Sequence, residues 1–475
     1  MACEAGTLDR PSRRWRTSFD KFGRTPRLSL QTAASKSTKR IALYPIVFFQ
    51  IYLAASVLTF AFGPWPWPVS NPLQLYTFLF LAQVALFFGY RSAINTRPRS
   101  AATTFSVPAM VNVSLVFNYL WIGQIYKIRT GQTSFDLSAA ITAVTTGFTN
   151  PGEAYNFRQK NYLLMAGGAT TTIDYITLLA YPVLWITFPL GVVFWRQLSI
   201  RVRIALVVWI ILDLLTWVAA GTNKGIADFV LLLPCLVLIR KPAILVNIKL
   251  RKVMVVGLVA VLGVAALFAF FTMGILGRRG AATGLPVDAG AGIAADPDNL
   301  FLRYAFPELQ GPMAMFASYF SHGYYGLSLS LKEPFIFCYG VGNSYLLEGW
   351  SRHLVKTPIM ESTYPARIES SGWARYGRWH SIYPWIASDL SFPGTIVFMF
   401  LIGRLFALVW LDAVFCRNPC AVCLLALVLT MLFYVPANNQ VLAFPGAAIP
   451  FWALLILWSL TRNHSRARDR KGLAS

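Results

Sequence analysis

Residues 41–62 read IALYPIVFFQIYLAASVLTFAF, and none of these 22 side chains is charged. About 20 consecutive apolar residues are enough for an α-helix to cross the hydrocarbon core of a bilayer. Inside lipid, every backbone N–H and C=O must find a partner within the protein, which a helix achieves by itself. The segment therefore predicts a membrane-spanning helix, and similar segments recur along the chain.

The composition agrees with many such helices. Of the 475 residues, 56% are hydrophobic and 13% are charged, which is about half the charged fraction of a soluble protein. Length and absence of charge predict spans at 41–62, 72–90, 105–125, 172–195, 204–220, 226–239, 253–276, 382–410, 420–434 and 447–460. We expect an all-α polytopic membrane protein with about ten transmembrane helices.

The basic residues predict the orientation. The net charge is +23, and most of the 42 Lys and Arg lie in the two tails and in alternate joints between the spans. Because Lys and Arg accumulate in cytoplasmic loops, both termini are expected in the cytoplasm. The joint 63–71 (GPWPWPVSN) is uncharged and carries two Trp, as expected at the opposite interface. This distribution accounts for the basicity, so we expect no nucleic-acid partner.

The predicted spans divide the chain into five parts. They are a basic arm (1–40), spans one to seven (41–276), a large outer loop (277–381), spans eight to ten (382–460) and a basic tail (461–475). Within the outer loop, 301–331 is amphipathic and rich in small residues, and we expect helices that lie on or dip into the outer face. Another long outer segment is 126–161, with a weakly apolar stretch at 139–148.

The chain lacks the motifs of nucleotide-driven and metal-dependent enzymes. It has no Walker A loop, no glycine fingerprint after a predicted strand, no H-E-x-x-H pair and no G-x-S-x-G elbow. Cys416, Cys420 and Cys423 form C-x3-C-x2-C without a nearby histidine, which favours packing over metal binding. We therefore expect no metal and no cofactor.

Cations on the predicted outer face indicate an anionic ligand, although a solvated surface explains each one alone. The loop 277–381 contains many Arg and Lys, Arg303 among them, and three of the four histidines, including His322. Guanidinium groups bind phosphate oxygens in a bidentate way. Lys224 lies in the turn 221–225 (GTNKG), where Asp228 is one helical turn away and is expected to pair with it.

The stretch 375–401 (RYGRWHSIYPWIASDLSFPGTIVFMFL) combines cations, aromatic rings and a carboxylate at the mouth of a predicted span. Its polar members are Arg375, Arg378, His380 and Asp389. Aromatic faces stack on sugar C–H surfaces, and polar tips bind hydroxyls. The stretch therefore suits carbohydrate or diphosphate recognition, and an interfacial aromatic belt is the alternative.

This stretch resembles the O-antigen (oligosaccharide repeat-unit) polymerase family. The family's Asp-Phe-Gly and following apolar helix correspond to the degraded Asp389-Leu-Ser-Phe-Pro-Gly394 and the helix after it. The turn 221–225 is similar to the family's Ser-Arg-Gly, with Lys224 in place of the arginine. The layout of many spans, cytoplasmic ends and one large late outer loop is also shared.

The resemblance implies a metal-independent, GT-C-like glycosyltransferase of the bacterial inner membrane that works at the periplasmic face. It implies transfer of the growing glycan from undecaprenyl diphosphate to the non-reducing end of a new lipid-linked repeat unit, in lipopolysaccharide or related polysaccharide biosynthesis. Its expected partners are the lipid-linked oligosaccharide, the bilayer, and a flippase and a chain-length regulator of the same pathway.

Roles for individual residues follow as hypotheses. Cations should stabilise the charge that grows on the leaving diphosphate, and the candidates are Lys224, Arg303, Arg375 and Arg378. The attacking hydroxyl needs a base. The candidates for this catalytic role are His380, Asp389 and His322.

Two other functions stay open. An O-antigen ligase shares the layout and the donor but hands the glycan to lipid A–core. A transporter or flippase without chemistry would use Asp174, Asp213 and Asp228 as ion or proton sites. The absence of clear internal symmetry and the long outer loop favour an enzyme.

Overall fold

The computed structural model describes residues 27–101, 106–165, 172–242, 268–269, 271–272, 274 and 287–472. Within these ranges the chain is almost wholly helical, apart from a small antiparallel hairpin of β1 (Asp288–Gly290) and β2 (Ile293–Ala294). Most of the predicted span 253–276 lies outside the described residues, as do 1–26 and 473–475.

The helices follow the apolar segments of the sequence. They are α1 (Arg27–Phe62), α2 (Pro72–Ala93), α3 (Val107–Thr130), α4 (Leu137–Thr149), α5 (Pro151–Met165), α6 (Thr172–Trp185), α7 (Thr187–Val193), α8 (Ile200–Ala219), α9 (Lys224–Arg240), α10 (Leu300–Arg303), α11 (Pro307–Ser330), α12 (Tyr345–Trp350), α13 (Tyr364–Arg367), α14 (Ile382–Cys416), α15 (Pro419–Tyr434) and α16 (Pro445–Gly472). A single π-helical turn (Ser351–Val355) and short 3-10 turns at Trp195–Gln197, Val341–Asn343, Ile359–Ser362 and Ile368–Ser371 connect some of them.

Several helices are long and apolar enough to cross a bilayer. In the described ranges, five meet both criteria: Lys39–Phe62, Pro72–Ala93, Ile173–Val193, Ile200–Ala219 and Ile382–Cys416. Leu137–Thr149 and Pro419–Tyr434 are apolar but shorter. The chain is thus an all-α protein with membrane-spanning helices, and the total of ten spans stays a prediction.

The helix ends gather at two levels, as a chain that threads up and down requires. At one level, Trp410 Nε1 donates to the Ile41 carbonyl, Arg404 Nη1 to Ser92 Oγ, and Arg417 Nη2 to the Arg240 carbonyl. We call this level the lower end. The upper end is the level at which 63–71 joins α1 to α2.

Close helix packing surrounds α14 and α15. A Cβ at Gly89 of α2 would collide with the Phe400 carbonyl of α14, and one at Gly403 would collide with the Leu86 carbonyl. Small residues of this kind let membrane helices approach each other. Helix α15 is buried on every face from Pro419 to Phe433, between α7, α9, α14 and α16.

Helix α11 lies across the upper end. Near its start, the Ala314 carbonyl accepts a hydrogen bond from Trp65 Nε1 at 2.8 Å, and just after its end the Leu331 carbonyl accepts one from Gln74 Nε2 at 3.0 Å. Both donors belong to the joint between α1 and α2 or to the first turn of α2, so the two ends of α11 sit at one level. The segment 287–381 is packed onto the bundle through this helix.

The structure differs from the predicted elements in several places. Helix α1 begins at Arg27, within the predicted basic arm, and α16 continues to Gly472, within the predicted tail. The outer segment 126–161 is largely helical, because α3 continues to Thr130 and α4 and α5 follow. The predicted span 172–195 is interrupted at Ile186, four residues after Pro182 and three before Pro189. Helix α14 extends to Cys416 but breaks at Ser391, where φ is 62° and ψ is 170°. Proline removes a helical N–H and crowds the carbonyl four residues earlier, so Pro393 explains this last break.

Candidate functional site

The turn between α8 and α9 holds Lys224 at the upper end. Gly221 has a φ of +62°, and a Cβ there would meet the Pro151 carbonyl and the Tyr155 N–H group of α5. A Cβ at Gly225 would collide with the indole of Trp217. Both glycines are therefore required for the chain to reverse this tightly beside a tryptophan.

Lys224 belongs to a small polar network. Its Nζ lies 2.7 Å from Asp228 Oδ2, which confirms the predicted pairing of the two residues. The other carboxylate oxygen accepts a hydrogen bond from the Tyr434 hydroxyl at 2.8 Å. The ammonium also lies 5.5 Å from the ring centroid of Trp217, within cation–π range. Lys224 stays about one third exposed, so its charge is held in place but reaches solvent.

A second cation lies on the same tryptophan, and sequence reasoning missed it. The Arg129 guanidinium is 4.2 Å from the Trp217 ring centroid and 2.8 Å from Asp213 Oδ1, and it also donates to Thr216 Oγ1. The sequence places Arg129 in an outer segment, whereas the last turn of α3 carries it against α8. The sequence did offer a signal for this pair: Arg129 is a basic residue at the end of a predicted span, and Asp213 is a carboxylate within another span that needs a partner.

Arg378 lies on the neighbouring side of α11. The ring of the following residue, Trp379, packs 5.1 Å from that of Tyr319. Tyr319 in turn lies 4.8 Å from the ring of Phe271, and a Cβ at nearby Gly274 would touch the Asn223 side chain. These contacts connect the Arg378 segment to the turn that holds Lys224. We call Lys224, Asp228, Tyr319, Arg378 and Trp379 the Tyr319 cluster.

The structure distinguishes Arg378 from the other predicted cations. Arg378 is partly exposed, and no carboxylate in the described ranges forms an ion pair with it. Arg375 is 9% exposed in its side chain and lies 3.1 Å from Glu361 and 3.9 Å from Glu369. Arg303 is exposed at the end of α10. The fold places the segment of Arg378 near the turn of Lys224, through Tyr319 and Phe271, whereas it ties Arg375 to neighbouring acids.

The two candidate histidines are buried beneath this surface. His322 is 6% exposed, and its Nε2 accepts a hydrogen bond from the Trp379 backbone N–H at 3.3 Å. Burial lowers the pKa of His322 to about 3, with smaller contributions from the charges of Arg378 and His380. Both rings are neutral at pH 7, and both pack against tryptophans. In this arrangement neither imidazole faces a space that a sugar could occupy.

His380 is the more enclosed of the two. It is 1% exposed, and burial lowers its pKa to about 4. Its Nε2 lies 3.4 Å from the Ala374 carbonyl, and its Nδ1 has no hydrogen-bond partner within the described part of the chain. A Cβ at Gly326 would lie 3.1 Å from that Nδ1, so α11 closes over the ring.

Asp389 organises the adjacent backbone. Its Oδ1 accepts a hydrogen bond from the Gly340 N–H at 2.7 Å, and its Oδ2 accepts one from Asn343 Nδ2 at 2.7 Å. The side-chain oxygen of Asn343 in turn accepts a hydrogen bond from Asn439 Nδ2. Asp389 thus anchors the turn 340–343 and connects it to the segment before α16.

An apolar groove opens on the side of the bundle, below the upper end. It has a volume of about 380 Å³ and lies between residues 73–81 of α2 and residues 392–396 of α14, with Leu331 at its top. The lining residues of α14, Phe392, Pro393 and Ile396, directly follow the break at Ser391. Its walls are mainly Leu, Phe, Ile and Pro side chains, with Gln74 and Thr77 as the polar members.

Two cations that the sequence did not single out lie beside the groove. Lys332 is exposed and directly follows Leu331, and no carboxylate of the described chain is within ion-pair distance of it. Arg367 lies 3.2 Å from Glu333 and 4.8 Å from the ring centroid of Tyr364, which packs on Phe392 of the groove wall. The signal in the sequence was a lysine at the end of the amphipathic stretch 301–331.

Metal ligands are not clustered in the part of the chain that the structure describes. In those ranges, no group of three or more His, Cys, Asp or Glu side chains is placed to hold a metal ion. Comparison of the chain with protein-family models, curated proteins and solved structures gave no match.

Proposed function

We propose that the chain is a membrane-embedded glycosyltransferase that polymerises lipid-linked oligosaccharide repeat units of O-antigen or a related surface polysaccharide. The growing glycan leaves undecaprenyl diphosphate and is joined to the non-reducing end of a new lipid-linked unit. The resemblance in 221–225 and 389–394 suggested this reaction, and the geometry of the upper end supplies the physical support.

The observation that carries the proposal is the apolar groove, which has Leu331 among its lining residues and the exposed Lys332 directly after it in sequence. A lipid-linked diphosphate is a long apolar chain that ends in concentrated negative charge. A groove in the side of the bundle accepts such a chain from the bilayer, and a cation at its upper rim meets the diphosphate. An unpaired cation suits this role better than one already neutralised by a carboxylate.

A second place for an anion lies at the same level. Tyr319 and Leu331 are twelve residues apart along α11 and the residue that follows it, which corresponds to about 18 Å at 1.5 Å per residue. The Tyr319 cluster, with Lys224 and Arg378, and the groove, with Lys332, therefore flank one helix. Polymerisation joins two lipid-linked substrates, so it needs two places for a diphosphate at one end of the bundle.

In this proposal, Arg378 stabilises the charge on the leaving diphosphate. Lys224 is paired with Asp228 but stays about one third exposed, so it contributes to the same charge as a secondary contact. Arg303 is an outer contact for the glycan or phosphate, because it is exposed. His322 and His380 act as positioning residues, since they contact the backbone of Trp379 and Ala374 on either side of Arg378. Asp389 positions the turn 340–343 instead. Arg375 has the same role through its two glutamates.

The upper end faces the periplasm in this proposal, and both termini face the cytoplasm of a bacterial cell. Its support is the distribution of basic residues, because Arg196, Arg203, Arg240 and Arg417 lie together at the lower end. Lys and Arg favour the cytoplasmic side of short loops.

The experiment is a glycan ladder on a gel, from cells that lack the gene and are complemented with wild type, Lys332→Ala or Arg378→Ala. Lys356→Ala is the matched control, because Lys356 is an exposed lysine of the same segment that is not adjacent in sequence to any residue of the groove. We expect the control to restore the ladder and both test variants to leave a core with one repeat unit, at normal protein level.

Further outcomes separate the alternatives. Loss of all repeat units, with lipid-linked polymer accumulating, would identify a ligase. An unchanged ladder in the deletion strain would remove both glycan functions and favour a transporter. Ion pairing already weighs against that last function, because Asp213 and Asp228 are each bound to a cation and are not open ion sites.

A further inference from the structure

The lower end contains a cavity lined by basic side chains from three separate segments. Its volume is about 100 Å³, and it lies among the 3-10 turn after α7, the end of α9 and the α14–α15 turn. The basic residues that line it are Arg196, Arg240, Lys241 and Arg417. We call these four residues the basic pocket.

The charge of the basic pocket is not balanced within the described ranges. None of its four side chains forms an ion pair there. Arg417 Nη2 instead donates to the Arg240 carbonyl at 3.3 Å. Neighbouring Arg203 likewise donates to the carbonyls of Trp195 and Arg196, at 2.9 and 3.2 Å. These guanidiniums are oriented by backbone oxygens and keep their positive charge uncompensated.

The closely spaced guanidinium groups at the basic pocket repel one another. The pKa of Arg240 is lowered by partial burial and then by the charges of Arg196, Arg203 and Arg417. Like charges this close favour the binding of an anion, since an anion removes the repulsion and satisfies free N–H donors together.

The backbone at Arg417 fixes where its side chain emerges. Its φ of 50° and ψ of 39° place it in the left-handed region, as the residue that ends α14. Asn418 fixes the turn, because its side-chain oxygen caps the first N–H groups of α15 at Cys420 and Ala421. This turn holds Arg417 beside the end of α9, where it donates to the Arg240 carbonyl.

Membrane topology alone does not require this geometry. The preference for Lys and Arg on one side is met by basic residues anywhere in the joints between spans. Here residues 196, 240–241 and 417, which are far apart in sequence, line one cavity. Such convergence requires the tertiary structure, and it is what recognition of a compact anion needs.

We propose that the basic pocket binds a phosphate-bearing anion. About three waters would fill its volume, at about 30 Å³ each, so it has room for one phosphate group. Its position at the end of the helix bundle is where basic pockets bind the head groups of anionic phospholipids. The inference does not depend on the proposed glycan chemistry, which concerns the opposite end.

The test uses the purified full chain in neutral detergent, with thermal unfolding followed at increasing amounts of phosphatidylglycerol, phosphatidylcholine or inorganic phosphate. We expect phosphatidylglycerol to raise Tm in a saturable way and phosphatidylcholine to have no effect. An equal effect of inorganic phosphate would identify a soluble anion as the source, and its absence would identify the lipid head group.

Two variants connect the effect to the pocket. Glycine adopts the left-handed conformation freely, so Arg417→Gly is expected to fold, and its apparent affinity should fall about tenfold. Arg240→Gln should weaken binding to a similar extent. Arg91→Gln is the control, because Arg91 is exposed and does not line the pocket. Wild-type affinity in both pocket variants, or no response of wild type to either anion, would overturn the proposal.

Discussion

The two ends of the bundle differ in how many of their basic residues form ion pairs with carboxylates. At the upper end, basic residues are paired with nearby acids: Arg129 with Asp213, Lys224 with Asp228, Arg352 with Glu348, Arg367 with Glu333 and Arg375 with Glu361. At the lower end, the basic pocket has no such pairs in the described part of the chain, and Arg462 with Asp412 is the contrasting case. Pairing is incomplete at the upper end, because Lys127, Arg303, Lys332, Lys356 and Arg378 form no ion pair within the described ranges. Lys332 and Arg378 differ from the others in position, since they lie next to the groove and in the Tyr319 cluster.

The largest effect on stability is expected at Asp412, the buried carboxylate that pairs with Arg462 at the lower end. It is fully buried and accepts hydrogen bonds from the Arg99 N–H, Trp458 Nε1 and Arg462 Nε at 2.8 to 3.0 Å. Asp412→Ala leaves these donors without their acceptor and should lower the free energy of unfolding by about 3–5 kcal/mol. Chemical denaturation of the purified protein measures it.

The matched control for this prediction is Asp298→Ala, since the Asp298 side chain is exposed and makes no ion pair in the structure. A change within about 0.5 kcal/mol is expected for it. Equal stability of the two variants would mean that Asp412 does not bind the lower end together.

Acid should destabilise the upper end, because the two buried and neutral histidines, His322 and His380, both lie there. The pKa of His322 is lowered to about 3 and that of His380 to about 4, both chiefly by burial. In the unfolded chain each titrates near 6.5, so stability is complete above that pH and is lost as the pH falls towards the folded values. Between pH 7 and 5.5 the loss should be about 2–3 kcal/mol for the pair.

Unfolding measured against pH tests this effect, with His380→Gln as the variant. Removing one titrating ring should halve the loss between pH 7 and 5.5. The same pH slope in wild type and variant would show that His380 is not buried neutral in the folded protein.

A smaller loss of stability is expected when Arg129, which forms an ion pair with Asp213 at the upper end, is replaced. Arg129→Ala removes hydrogen bonds to Asp213 and Thr216 and the contact with Trp217, and should cost about 2 kcal/mol. Lys127→Ala, on the same turn of α3 and without an ion pair in the described chain, should cost much less. Thermal unfolding of the two variants side by side measures the difference, and equal losses would contradict the assigned role.

The smallest change in stability is expected at Lys224, where activity should change most. Its pair with Asp228 is partly exposed, so Lys224→Ala should cost less than about 1 kcal/mol. The glycan ladder should nevertheless disappear, because the proposed contact with diphosphate is lost. A normal ladder in this variant would remove Lys224 from the proposed site.

Long apolar segments made most of the fold predictable. The segments 72–90 and 204–220 became helices with ends within a few residues of those expected, because a largely apolar run of such length satisfies its backbone in lipid by forming a helix. The segment 41–62 also became helical and ends at Phe62 as expected, but its helix begins earlier, at Arg27. The helices α4 and α5 were not foreseen as packed elements. Arg129 ends the apolar run in the sequence, whereas in the fold its charge is compensated by Asp213 from another helix.

The candidate site was less predictable, because burial and convergence are properties of the tertiary structure. The sequence places His380 beside Arg378 but does not indicate that α11 covers the imidazole. The groove is formed by α2, Leu331 and α14, which are more than 50 residues apart in sequence. The sequence therefore did not indicate that Lys332 lies close to an apolar groove. The pairing of Lys224 with Asp228 was predictable, since it depends only on helical spacing.

The burial of α15 on every face has a consequence for biogenesis. The helix is enclosed partly by α16, which follows it in the chain, so its packing cannot be completed until that helix has been synthesised. Lipid tails are as apolar as the Leu and Val side chains of α15, and Thr430 is already hydrogen-bonded to the Ala426 carbonyl within the helix. The nascent α15 can therefore remain in the bilayer at little energetic cost until α16 arrives, and assembly of this side of the bundle becomes a late, post-insertion step.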